Sequence, residues 1–154
     1  MYRYLGAGLS NVFLKNGYKT VKTPFGQGVK IHDVDGLHDA LAEAIVASPN
    51  PVNGQEFRFL RNQLELSQAA LAELLGTSEQ SVARWETGKS KKVDATAERL
   101  LRVLYKSAKC GEKKFAPVLK MLQALECAPG APRQFVATEV RDSWRAKTEA
   151  ASAA

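Results

Sequence analysis

The sequence predicts a mainly α chain, a five-helix domain preceded by a small N-terminal α+β module. Three observations carry that reading. Residues 55–109 divide into short apolar-periodic segments with Ser or Asp at their starts and Gly or polar turns at their ends. Residues 1–50 carry hairpin and turn chemistry instead. Between them, Ala47-Ser48-Pro49-Asn50-Pro51-Val52-Asn53-Gly54 breaks any periodic pattern and reads as a linker. The expected divisions are therefore 1–50, 55–109 and a C-terminal segment, 110–154, holding a helix, a strand and a tail.

Taken in order, Asn16-Gly17 is a two-residue turn signal, since both residues tolerate positive φ. It predicts a hairpin joining Val12-Phe13-Leu14-Lys15 to Tyr18-Lys19-Thr20-Val21. Thr23-Pro24-Phe25-Gly26-Gln27-Gly28 is turn chemistry, and Val29-Lys30-Ile31 is a third short strand. Asp35 is the expected N-cap of a helix whose apolar stripe is Leu37, Leu41, Ala44 and Ile45. In the second module, residues 56–64 form a helix with Phe57, Leu60 and Leu64 inward. Ser67 caps the next, which runs through Leu71, Leu74 and Leu75 to a stop at Gly76. Ser78 caps a third helix ending near Gly88, and Asp94 opens a fourth with Ala97, Leu100, Leu101 and Leu104 on one face. A fifth is expected over Phe115, Val118, Leu119, Leu122 and Leu125, because Pro117 is tolerated in a first turn. After the break at 127–132, residues 135–140 read as a strand returning to the N-terminal hairpin, and the Ala/Ser-rich end is expected to fray.

Composition bounds the function. Of 154 residues, 45% are hydrophobic and 25% charged, an ordinary globular balance. No apolar run reaches the ~18 residues of a membrane span, and the N-terminus lacks a signal-peptide stretch. No membrane partner is expected, and the expected location is cytoplasmic. Two cysteines, Cys110 and Cys127, make neither a disulfide framework nor a four-ligand zinc site. The net charge of +6 is unevenly placed. Residues 1–83 carry 7 basic and 8 acidic side chains, whereas residues 84–120 carry 11 basic and 4 acidic ones. A basic run is often only a solvated helix face, but this one begins inside the most informative motif of the chain.

That motif runs from Ser67 to Gly88. Two helices of about eight residues joined by a turn must cross steeply and still pack. Ala72 supplies a small residue between them, and Gly76 supplies a residue able to leave the helix with positive φ. Leu71 and Leu75 from the first helix meet Val82 and Trp85 from the second. A hairpin used only for packing would leave its outer face arbitrary. Here Gln80, Ala83, Arg84 and Thr87 gather on roughly a quarter of the third helix, opposite Val82 and Trp85. Gln pairs bidentately with adenine and Arg with guanine, so this stripe suits base edges. Glu79 either accepts from a cytosine amino group or complements the positive helix start. Ser67 and Gln68, at the start of the preceding helix, stand where backbone N–H groups face a phosphate, and Ser78 and Ser81, at the start of the third helix, are also expected to be DNA-binding. Lys89-Ser90-Lys91-Lys92 is a basic loop suited to flanking phosphates, which fix register without reading sequence.

Residues 57–105, with Leu66-Ser67-Gln68-Ala69, Leu75-Gly76-Thr77-Ser78 and Val82-Ala83-Arg84-Trp85-Glu86-Thr87-Gly88-Lys89, resemble the Cro/CI-type (XRE) helix-turn-helix family. The resemblance implies a lambda-repressor-like DNA-binding fold. It also implies that Gln68, Glu79, Gln80, Arg84, Lys89 and Lys91 match DNA-contacting positions, and that Arg61 pairs with Glu86 as a structural ion pair. The expected function is a DNA-binding transcriptional regulator, a repressor that binds an inverted-repeat operator on double-stranded DNA as a homodimer. A small β-rich module ahead of such a domain is also similar to MqsA-type antitoxins, which neutralise a toxin and repress their own operon. Those antitoxins hold that module with zinc-binding cysteines. This chain has no cysteine before Cys110, so the toxin partner is an alternative that cannot be carried over residue by residue.

Nothing in the sequence points to an enzyme. His32-Asp33-Val34-Asp35-Gly36-Leu37-His38 holds several potential ligands without a clean metal spacing. Gly26-Gln27-Gly28 is too short for a phosphate loop, and no serine triad can be assembled from two neighbouring histidines. No catalytic residue, metal or cofactor is expected.

Overall fold

The computed structural model describes residues 1–110 and 133–150. Its elements are β1 (Tyr2–Arg3), β2 (Val12–Leu14), β3 (Tyr18–Thr23), β4 (Gly26–Ile31), α1 (Val34–Ala47), α2 (Gly54–Gln63), α3 (Gln68–Leu75), α4 (Glu79–Glu86), α5 (Ala95–Cys110), β5 (Arg133–Val140) and β6 (Ser143–Ala150). Six strands beside five helices correct the mainly α expectation. The fifth helix expected over 115–125 lies outside the described residues, so five helices are reached only by counting α1. The chain forms two compact units, Met1–Ala44 with Ala131–Ala154, and Ile45–Gly130.

Unit 1 holds a four-stranded sheet in the order β1-β2-β5-β6 and a separate two-stranded ribbon, β3-β4. β2 and β5 run parallel, Val12 opposite Phe135, and a parallel pair requires a long crossover. Unit 2 supplies that crossover, so it is an insertion between strands of one sheet. The strand expected over 135–140 to return to the N-terminal hairpin pairs with β2 alone of that pair, and on its other side lies a strand, β6, that was not expected. β6 pairs with β5 from Arg133↔Ala150 to Val140↔Ser143, and the rest of the Ala/Ser-rich end, residues 151–154, lies outside the described residues. Val12, Leu14, Phe135, Ala137 and Leu37 are buried.

The expected hairpin at Asn16-Gly17 is not formed. β3 pairs instead with β4 around the Pro24-Phe25 turn, Thr23 opposite Gly26. Asn16 is used differently: its amide donates to Glu139 O at 3.1 Å and accepts from Glu139 N at 2.7 Å, a side chain standing in for a strand residue. Gly17 does take positive φ, +75°, and a Cβ there would collide with the Trp144 ring. The α1 cap also differs. Asp33, not Asp35, accepts from Gly36 N at 3.0 Å. Leu37, Leu41 and Ile45 are fully buried as expected, while Ala42 rather than Ala44 completes the buried set.

Unit 2 is built around α2, which packs on α4 and α5, while α3 packs on α4. Asn53 and Glu56 form a reciprocal capping box that starts α2. Phe57, Phe59, Leu60, Leu71, Val82, Ala97, Leu101 and Tyr105 make its core. Leu100, expected on one face with Ala97, Leu101 and Leu104, is 41% exposed, and Leu74 of α3 is 57% exposed. The segment after α1 is not a free linker, because a buried guanidinium holds it. Arg102, 1% exposed, donates through Nη1 to Ile45 O, Val46 O and Ser48 O at 3.1, 2.9 and 2.7 Å. Through Nη2 it donates to Asn50 O and Glu98 Oε1, both at 2.7 Å. These carbonyls belong to the last turn of α1 and the chain beyond it, where a helix runs out of N–H donors of its own; of the four, Ile45 O also accepts from Ser48 N at 3.2 Å. Arg102 therefore adds nothing to the basic surface that its charge suggests in the sequence.

Candidate nucleic-acid interface

The interface is positioned by three capped ends and one buried ion pair. Ser67 Oγ accepts from Ala70 N at 3.0 Å and Ser78 Oγ from Ser81 N at 3.2 Å, fixing where α3 and α4 begin. The Ser78 and Ser81 hydroxyls also bond each other at 2.9 Å, so this pair is first of all a cap. Gly76 ends α3 in the left-handed region, φ 66°, ψ 32°, with open space around a hypothetical Cβ. Its role is therefore backbone conformation, and it turns the chain from one helix to the next within three residues.

Beneath α4 lies the ion pair. Arg61 Nε donates to Glu86 Oε1 at 2.6 Å and Nη2 to Oε2 at 2.9 Å, a bidentate geometry between α2 and the last residue of α4. Arg61 Nη1 also donates to Leu66 O at 2.7 Å, and Gln68 Nε2 to Glu86 Oε2 at 2.8 Å. Gln68 is thus half-buried and tied to the pair by one of its N–H groups. Phe57 meets Trp85 edge-on, ring centroids 5.8 Å apart, on the same inner side. Val82 is fully buried there.

The outer side of α4 is open. Glu79, Gln80, Arg84 and Thr87 are exposed, with Ala83 and Ser81 half-buried. Among the described residues neither the Gln80 amide nor the Arg84 guanidinium has a partner, so both retain their full donor sets. Thr87 differs: its hydroxyl donates to Ala83 O at 2.9 Å, leaving an acceptor oxygen and a methyl group facing outward. Lys89, Lys91 and Lys92 are exposed in the following loop, while Ser90 is half-buried, its N–H on Arg84 O at 3.3 Å. A Gln and an Arg one turn apart on a convex helix, flanked by three lysines and a capped helix start at Ser67, can donate to base edges and phosphates together.

The histidine motif resolves into two unrelated places. His38 Nε2 bonds the Tyr4 hydroxyl at 2.8 Å. Burial lowers the His38 pKa, against the opposing charges of Asp35 and Asp39, and burial raises that of Tyr4. His32 pairs with Glu139 on β5. Ligand atoms of His32, Glu139 and Asp142 lie within 4.8 Å of one another, one imidazole and two carboxylates able to hold a divalent ion. The two carboxylates beside His32 are not those of its sequence neighbours but come from more than a hundred residues away.

Residues 57–107 match the model of the helix-turn-helix family. Comparison with curated proteins and with solved structures returned no match. Among the described residues no helix is long and apolar enough to cross a membrane.

Proposed function

With residues 57–107 forming an XRE-type helix-turn-helix domain, the DNA-binding part of a transcription regulator, we propose that the chain is a dimeric repressor. It reads an inverted-repeat operator on double-stranded DNA through α4. The observation that carries this reading is that Gln80 and Arg84, on the side of α4 opposite buried Val82, are exposed and have no side-chain partner among the described residues. One recognition helix covers only a few base pairs. Two chains related by a two-fold axis would set two such helices about 34–36 Å apart, roughly 10–10.5 base pairs, on one face of the duplex. Ser67, Gln68, Lys89, Lys91 and Lys92 then hold phosphates, and Gln80 and Arg84 read bases. Repression is steric, by occupation of a promoter.

Selection of duplex sites from a random pool by the full chain is expected to enrich an inverted repeat with that centre-to-centre spacing. Mass photometry should then count two chains per duplex. One chain on an unrepeated site would overturn the dimeric reading.

A further inference from the structure

The β3–β4 ribbon pairs with none of the strands of the four-stranded sheet, meeting it at its base, where the Tyr18 ring centroid lies 5.2 Å from that of Tyr2 in β1. Residues 18–31 contain Lys19, Lys22 and Lys30 and no acidic side chain. All three lysines are exposed, and among the described residues none forms an ion pair. Lys19 stands directly opposite Lys30 across the antiparallel pair, a register in which like charges repel. At the tip, Pro24-Phe25 makes the two-residue turn, and Phe25 is 100% exposed. Strand alternation puts Lys19, Lys30 and Val21 on one face and Lys22 and Val29 on the other.

That distribution selects the partner. Val21 and Val29 are the other exposed apolar side chains of the ribbon, and they sit on opposite faces. Tyr18 and Ile31 share the face of Val29 but are half-buried, so neither face exposes a large continuous apolar patch. Cations on both faces instead suit a groove, whose phosphates line both walls around whatever enters it. A ribbon of this kind can release condensed counterions on each side. An apolar tip residue can wedge between base steps and kink the duplex.

We propose that β3–β4 is a second double-stranded DNA contact, with Lys19, Lys22 and Lys30 on phosphates of both groove walls and Phe25 wedged between base steps from the minor groove. The proposal rests on the repressor reading, since α4 must first bring the chain to a duplex. It extends that reading to unit 1, which would bend the DNA that unit 2 recognises.

The test uses the full chain and a fluorescently end-labelled duplex carrying the site it enriches. The variants are Lys19→Gln/Lys22→Gln/Lys30→Gln, Phe25→Ala and Arg84→Ala. All the altered side chains are exposed, and unchanged circular dichroism will establish that each variant folds. Each lost phosphate contact removes about 0.9 from the slope of log affinity against log salt, so the triple variant should flatten it by about 2–3. Phe25→Ala should abolish a bend of roughly 20–90°, read as a loss of end-to-end energy transfer. Arg84→Ala should change site preference and leave the bend of bound duplex in place. An unchanged slope in the triple variant overturns the ribbon contact, and an acidic protein partner would give that result. If Arg84→Ala still alters preference, the repressor reading survives the loss of the ribbon. A wild-type chain that binds no duplex overturns both.

Discussion

Arg102→Met is expected to lower the unfolding free energy of the chain by about 3–5 kcal/mol, a large part of the roughly 5–15 kcal/mol that holds a domain folded. Methionine keeps much of the length and volume of the side chain but has no donor. The change would leave four buried or half-buried carbonyls, those of Ile45, Val46, Ser48 and Asn50, without the guanidinium. It would also leave the Glu98 carboxylate, which accepts from Val52 N at 3.0 Å, charged and buried without its counterion. Lysine is expected to rescue only part of the loss, because one ammonium cannot span carbonyls that two guanidinium nitrogens reach. Urea unfolding, with exposed Arg99→Met as a control shifting stability by no more than about 0.5 kcal/mol, measures this. A midpoint for Arg102→Met equal to that of Arg99→Met would mean the carbonyls find water as readily as they find Arg102.

Arg61→Leu is expected to cost a similar amount, about 3–5 kcal/mol, for a different reason. The loss there is one stranded charge. Glu86 is 7% exposed, and without Arg61 its remaining side-chain donor among those described is Gln68. Pairing Arg61→Leu with Glu86→Leu should recover much of the stability, since removing both charges removes the desolvation penalty with the bond. The double variant should still bind DNA less tightly than the native chain. The pair fixes the end of α4 against α2, and a bidentate bond constrains direction where apolar contact does not. A cycle in which the two substitutions simply add would show that no coupling exists between these side chains.

Both predictions concern groups whose partners differ in how visible they are in the sequence. Arg61 and Glu86 were legible because the helix-turn-helix pattern places them, and the caps Ser67 and Ser78 were legible because a cap acts within three residues. Arg102 was legible only as one more positive charge. Apart from Glu98, one turn back on the same helix, its acceptors are backbone carbonyls more than fifty residues away, and carbonyls leave no trace in residue identity. The strands show the same division. Asn16-Gly17 is a turn signal by composition, yet β2 finds its partner in β5, and periodicity gives a strand a buried face without naming its neighbour. β6 was missed because Ser143-Trp144-Arg145-Ala146-Lys147-Thr148-Glu149-Ala150 has few apolar residues, and because its turn uses Arg141 and Asp142 at positive φ in place of glycine. On the candidate site, α4 exposes the stripe that its spacing predicts, whereas the ribbon lysines were hidden by averaging. Counted with residues 1–83 they vanish into a near-neutral total, and only the pairing of β3 with β4 shows that three of them share one small element.

Insertion of α4 into a duplex groove is tested most directly by selecting sites with the wild-type chain, Arg84→Ala and Lys91→Ala in parallel. Arg84→Ala should lose discrimination worth about 1–3 kcal/mol at one base pair of each half-site and keep it elsewhere. Lys91→Ala should keep every base preference while its salt dependence flattens by about one unit. Enrichment of the same site by Arg84→Ala, with an undiminished preference at every position, would contradict the account.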